Sequence, residues 1–199
     1  MSAITTALTD WEHVQPPAAR RLLTGAIAAF AERGFQATTT RDIASRAGMS
    51  PAALYVHYPS KEQLLFEISL YGHRAALDVL TSVQGSTPAE RLRGMVSAFT
   101  IWHAEHHTVA RVVQYELAAL SPEHLAEVAT YRRSISAVME EVLADGVRDG
   151  TFQVDDLPGT ALAVLSLSID VARWYDPARQ APELLGTLYA DLALRMVHA

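Results

Sequence analysis

The sequence predicts an all-α protein of about nine helices, in which a compact three-helix head precedes a larger helical body. Three observations carry that expectation. Apolar residues recur at spacings of three and four rather than in alternation, which is the period of helices and not of strands. Three helix-start signals, Thr39, Ser50 and Ser60, crowd together near the N-terminus. Beyond them, the long periodic stretches are separated only by short segments rich in Gly, Pro and Asp.

Taken in order, Pro16 and Pro17 open the first helix, because proline suits a first helical turn. Its apolar face is Leu22, Leu23, Ala26, Ile27, Phe30 and Ala31, and Gly34 ends it. Thr39 caps a short second helix, with Asp42 three residues on completing a capping box. Ser50 caps the third, with Pro51 at its first position. Ser60 caps the fourth, with Gln63 completing another box, and this helix runs long through Leu64, Leu65, Ile68, Tyr71 and Ala75 to about Val83. The segment "QGSTP" (84–88) breaks the chain. Further helices are expected at 88–105, 108–119, 122–149, 159–176 and 182–197, with "DGVRDGTF" and "DDLPG" before the eighth and "DPARQAPE" before the ninth. The expected division is a head over residues 1–60 and a body over 61–199.

Composition narrows the class. The chain has 199 residues, 50% apolar and 19% charged, enough for an ample core. It has no cysteine, which excludes disulfides, thiolate metal sites and thiol redox sensing. The opening "MSAITTALTDWEHV" carries no Lys or Arg and no long apolar run, so it does not read as a secretory signal. The longest apolar tract, 161–169, is broken by Ser166 and Ser168 and falls far short of the roughly 20 residues that span a bilayer. The expectation is a soluble cytoplasmic protein. Net charge is −6, unevenly spread: six basic side chains face five acidic ones through residue 62, and ten face seventeen after it. A near-neutral head on an acidic body suits a protein that presents only its head to a polyanion.

Residues 38–64, "TTTRDIASRAGMSPAALYVHYPSKEQL", have the pattern of two short helices meeting at a tight corner. Such a helix-turn-helix needs small, bent and apolar positions where the helices cross. Ala44 permits close approach, Gly48 tolerates a left-handed turn, and Met49 plugs the corner. Ile43, Ala47 and Leu54 fill the shared core. A plain helical hairpin would show the same spacing, so spacing alone leaves both readings open.

The stretch "FAERGFQATTTRDIASRAGMSPAALYVHYPSKEQLL" resembles the DNA-binding head of the TetR family of bacterial transcriptional regulators over about fifty residues, from Ala18 to Leu70. The matching features are Phe30…Gly34-Phe35, the threonine run, Asp42-Ile43-Ala44, Ala47-Gly48, Leu54-Tyr55, His57-Tyr58 and Lys61-Glu62. The resemblance implies a homodimer that binds double-stranded operator DNA, without a cofactor, and is released by a small molecule held in the body. It further implies that Thr39 offers its hydroxyl and backbone donors to a phosphate, and that Tyr55, His57 and Lys61 clamp phosphates. It places Ser50, Ala52 and Ala53 toward base edges with Arg41 on the flank, and Tyr58 in the core. One inference needs no family. The leading face of the third helix, Pro51-Ala52-Ala53, has no Arg, Lys, Asn or Gln for bidentate contacts to guanine or adenine. Readout is therefore expected to lean on thymine methyls against Ala52 or Ala53, on DNA shape, and on Arg41.

In the body, candidate ligand-binding residues are the large apolar and aromatic Met95, Phe99, Trp102, Tyr115, Tyr131 and Trp174, with the polar Glu116, Asp170 and Arg173 on otherwise apolar helices. Plain core packing is the competing reading for the first group, and mutual pairing three residues apart for Asp170 and Arg173. The stretch "RWYDP" (173–177) is similar to regulators of this family that answer to lipid or acyl-thioester molecules, so the expected effector is small and apolar or lipid-like. "WHAEHH" (102–107) sets His103 and His107 four apart beside Glu105 and His106. That spacing could hold zinc or nickel in a metal-responsive regulator, or simply end the fifth helix with histidines on its terminal carbonyls. The last two helices read as a dimer seam: the eighth is apolar on nearly every side at Leu162, Val164, Leu165, Leu167, Ile169 and Val171, more than one core-facing stripe requires, and the ninth offers Leu184, Leu185, Leu188, Tyr189, Leu192 and Met196. A helical enzyme or a scaffold without DNA binding are the rival classes. No Glu-x-x-His pair, phosphate loop or nucleophile elbow supports the enzyme. A scaffold has no use for Tyr55, His57 and Lys61 gathered at one tip.

Overall fold

The computed structural model describes residues 14–198; residues 1–13, which hold most of the opening stretch, and Ala199 lie outside the described residues. Among the described residues there are nine α-helices, one short 3-10 turn and no strand. The helices are α1 (Pro17–Ala37), α2 (Thr40–Arg46), α3 (Pro51–His57), α4 (Lys61–Ser82), α5 (Pro88–Glu105), α6 (His107–Glu116), α7 (Pro122–Arg148), α8 (Leu157–Trp174) and α9 (Pro182–Val197), with the turn at Leu117–Ala119.

Local chemistry accounts for the boundaries. Gly34 interrupts α1 at φ 76°, ψ 163°, a conformation open essentially to glycine, and three more residues turn beyond it. The Thr39–Asp42 capping box closes in both directions. The corner after α2 is a Schellman motif: Gly48 sits at φ 68°, its N–H reaches the Ser45 carbonyl, and the Met49 N–H reaches the Ala44 carbonyl at 2.8 Å. Ser50 accepts the Ala53 N–H, and α3 stops at Tyr58, whose extended backbone suits a residue preceding proline. Ser60 accepts the Gln63 N–H at 3.0 Å, while the Gln63 Nε2 donates to Glu67 Oε1 at 3.0 Å. The eighth helix starts two residues before the expected 159. Asp156 caps it through the Gly159 N–H, and Pro158 sits in its first turn.

Packing gathers the chain into two compact units. One comprises the residues through Gly72 with Thr108–Val128; the other comprises His73–His107 with the residues from Ala129 onward. In the first unit α1, α2 and α3 pack on one another, and Leu64, Leu65 and Ile68 of α4 are fully buried. In the second, Leu80, Leu92, Met95, Phe99, Met139 and Leu143 form the centre of the core. There α5 packs along α8 and α9. Gly186 permits this approach, since a Cβ at that position would stand 2.8 Å from Ile101 Cγ1. No helix among the described residues is long and apolar enough to cross a membrane.

Candidate nucleic-acid interface

The corner is held from behind by α1. Gly25 is buried, and a Cβ there would lie 3.0 Å from the Ile43 carbonyl oxygen, so a side chain at this position would press α2 outward by a few tenths of an ångström. Ile43, Ala44, Ala47 and Leu54 are buried as expected, while Met49 is half-buried. Tyr58 is also in the core. Its hydroxyl donates to the Ala19 carbonyl, and burial, then the nearby Glu67 charge, push its pKa up to about 12.

This anchoring turns the rest of α3 outward. Ser50, Pro51, Ala52, Tyr55 and Val56 are exposed, and Ala53 and His57 half-buried. Arg41 on α2 is exposed and makes no ion pair among the described residues. The Tyr55 hydroxyl lies 3.1 Å from Thr40 Oγ1, which ties the two helices at their outer edge. The neighbouring cations are already neutralised: Arg33 pairs with Glu32 and Asp42, and Arg46 with Glu32. The hydrogen bonds from Thr39, reinforced by Arg33 and Arg46, hold the Asp42 carboxyl below the usual range.

Two residues expected to grip phosphates have partners within the chain. The Thr39 N–H and hydroxyl both donate to Asp42 Oδ2, at 2.9 and 2.6 Å, so the capping box uses the donors. The Lys61 ammonium donates to the carbonyls of Phe35 at 2.7 Å, Thr38 at 2.8 Å and Gln36 at 3.4 Å, and lies 4.3 Å from the Phe35 ring centroid. It satisfies the carbonyls left open where α1 ends. Val56, which the residue patterning passed over, is 80% exposed. Its position four residues after Ala52 was the available signal.

Three further contacts hold this unit together. Glu116, at the end of α6, accepts the Phe35 N–H at 3.0 Å, beside Gly34. Glu62 accepts the Ser121 N–H at 2.9 Å and lies 2.8 Å from His124 Nδ1, whose ring stacks on Phe66 at 3.8 Å. Sequence spacing of 81, 59 and 62 residues hides all three contacts.

The expected ligand residues are drawn from both units. Tyr115 (exposed) and Glu116 belong to the first unit, and the others to the second. Met95 and Phe99 are core, and Trp102 packs against that core and stacks on His106. The Tyr131 hydroxyl accepts from Arg74. Asp170 and Arg173 make the bidentate pair that their spacing allowed, at 2.8 and 2.9 Å, and Trp174 is exposed. The imidazoles of His103, His106 and His107 each place Nδ1 within 2.8 Å of a carbonyl of α5, those of Phe99, Trp102 and Ala104. Among the described residues no three His, Cys, Asp or Glu side chains are grouped to hold a metal.

Comparison with known proteins agrees with this arrangement. Residues 22–68 match the model of bacterial regulatory proteins of the tetR family, and residues 85–197 match the tetracyclin repressor-like C-terminal domain. The HTH-type transcriptional repressor KstR2 of Mycolicibacterium smegmatis is 34% identical over 192 residues, covering 89% of this chain and 90% of the relative. A solved tetR-family regulatory protein from Rhodococcus RHA1 is 42% identical, with a TM-score of 0.89 over 93% of this chain and 99% of that one. The ketosteroid transcriptional regulator KstR2 of Mycobacterium tuberculosis is 29% identical, with a TM-score of 0.80 over 94% and 97%. With both halves matched and relatives aligned over nearly their whole length, this chain belongs to the TetR family of bacterial regulatory proteins.

Proposed function

We propose that this chain is a transcriptional repressor that binds a near-palindromic operator as a homodimer and leaves it when a small apolar or lipid-like molecule occupies the C-terminal region. The observation that carries the DNA-binding half is the outward face of α3, fixed by the Gly48 corner and exposed at Ala52, Tyr55 and Val56. Ser50, Ala52, Ala53 and Val56 meet base edges, while Arg41, Tyr55 and His57 meet the backbone phosphates. Thr39 and Lys61 hold these groups in place.

Dimerisation is supported by the outer faces of α8 and α9. Leu184, Leu188, Leu192 and Met196 recur every four residues and are all exposed, as are Leu162 and Leu167 on α8. Two-fold pairing buries such rows and sets two heads against one operator. The relatives support the input: KstR2 is named a repressor, and its M. tuberculosis form a ketosteroid regulator. A ligand acts here through its different affinity for the DNA-bound and released states.

The test is selection of duplexes from a random pool by the full-length protein, followed by fluorescence anisotropy. A two-fold site bound far more tightly than random duplex, with affinity falling steeply in salt, supports the reading. Equal affinity for all duplexes sinks it. For the effector, compounds that raise Tm in a steroid, fatty acid and acyl-thioester panel must also release the selected duplex.

A further inference from the structure

The seven residues of α3 include no Arg, Lys, Asn or Gln, yet its exposed face ends in a valine that is 80% open to solvent. At 3.6 residues per turn, Ala52 and Val56 stand at about 160° and 200° from Leu54 around the helix axis. Leu54 is fully buried, so the two side chains straddle the direction pointing straight away from the core. Isolated apolar side chains are ordinary on protein surfaces. Here the two share one outward row at i, i+4 spacing. The hydrogen-bonding groups, Ser50 and the Tyr55–Thr40 pair, lie to either side of it.

We propose that Val56, with Ala52 one turn before it, is a specificity-determining residue that reads the 5-methyl group of a thymine in the major groove. This rests on the DNA-binding reading above and names the chemistry by which that face chooses a sequence. Among the base edges of the major groove, the thymine 5-methyl is the one apolar feature. A branched methyl pair fits it by excluding water from both surfaces. A hydrogen-bonding base edge in the same place would lose its water and gain no partner. The short Ala52 side chain leaves room for the base to approach, and Val56 supplies the contact.

The experiment replaces each thymine of the selected operator, one half-site position at a time, by deoxyuridine, which removes the methyl and leaves every hydrogen-bonding group. Wild-type full-length protein is expected to lose about fourfold in affinity at one thymine per half-site, the worth of one buried methyl. Val56→Ala, at a solvent-facing position where alanine favours helix, should lose the penalty at that thymine while still binding in a salt-dependent way. Replacing the same thymine by cytosine should weaken wild-type binding, and 5-methylcytosine should recover part of the loss. A flat deoxyuridine scan, a selected half-site with no thymine, or an unchanged penalty in Val56→Ala overturns the inference. Failure to select any duplex overturns instead the DNA-binding reading on which it rests.

Discussion

The Glu116 carboxylate accepts the Phe35 amide proton at 3.0 Å, closing a link between the end of α6 and the kink in α1 at Gly34. Without it, the Phe35 N–H of this half-buried kink has no carboxylate partner. Glu116→Ala is expected to lower stability by about 1 kcal/mol, whereas Glu116→Gln, which keeps a carbonyl acceptor, should cost less. Operator affinity measured by anisotropy should fall in the alanine variant and hold in the glutamine variant, because the kink sets where α2 begins. Equal affinity in both would remove the coupling role.

At Gly34 itself, the positive φ excludes an ordinary side chain, and a Cβ would stand 3.2 Å from Glu116 Oε1. Gly34→Ala should cost about 2 kcal/mol. The check is a urea midpoint shifted downward with an unchanged m-value.

Lys61 separates a scaffold from a phosphate clamp. If its ammonium holds the Phe35 and Thr38 carbonyls, Lys61→Met lowers Tm and weakens operator binding without changing the dependence of log affinity on log salt. If it grips a phosphate in each subunit of the dimer, that slope falls by about 1.8. The expected outcome is the unchanged slope.

His103 predicts acid sensitivity. Burial, opposed by its bond to the Phe99 carbonyl and assisted by the neighbouring His106 and His73, brings its pKa down from 6.5 to about 4. Between those values the unfolded chain takes up a proton that the fold refuses. The contribution is therefore fully present above pH 6.5 and drains away as pH falls toward 4, reaching about 3 kcal/mol. In His103→Leu the decline of the urea midpoint between pH 7 and pH 4.5 should be shallower than in the wild type. Parallel declines would contradict it.

The exposed α9 row gives the assembly prediction. Leu188→Glu sets a charge in the middle of Leu184, Leu192 and Met196, all on the solvent side. It should yield a folded monomer by light scattering at micromolar concentration, with operator affinity greatly reduced. A dimer of unchanged affinity would place the seam elsewhere.

Much of this was legible in the residues. Thr39, Ser50 and Pro51 mark helix starts through bonds that span three positions, and Gly48 marks its corner through a conformation that few other residues adopt. Local rules suffice there. They miss the bond from Gln63 to Glu67, and they fail for Lys61, whose partners lie more than twenty residues back. They fail again for Glu116 and Glu62, both spent on distant backbone amides. A polar residue on an apolar helix announces that something satisfies it, but periodicity cannot say whether that is a ligand or the chain's own main chain. Asp170 and Arg173, three apart, were the case where local spacing did name the partner.

Lys61 is also the chain's single lysine. Regulators that meet DNA through several lysines can be tuned by acetylation, one charge at a time. Here side-chain acylation has one target. Converting its ammonium to an amide leaves one N–H where three carbonyls now wait, so the modification would act by releasing the start of α4 from the end of α1 while every arginine kept its charge.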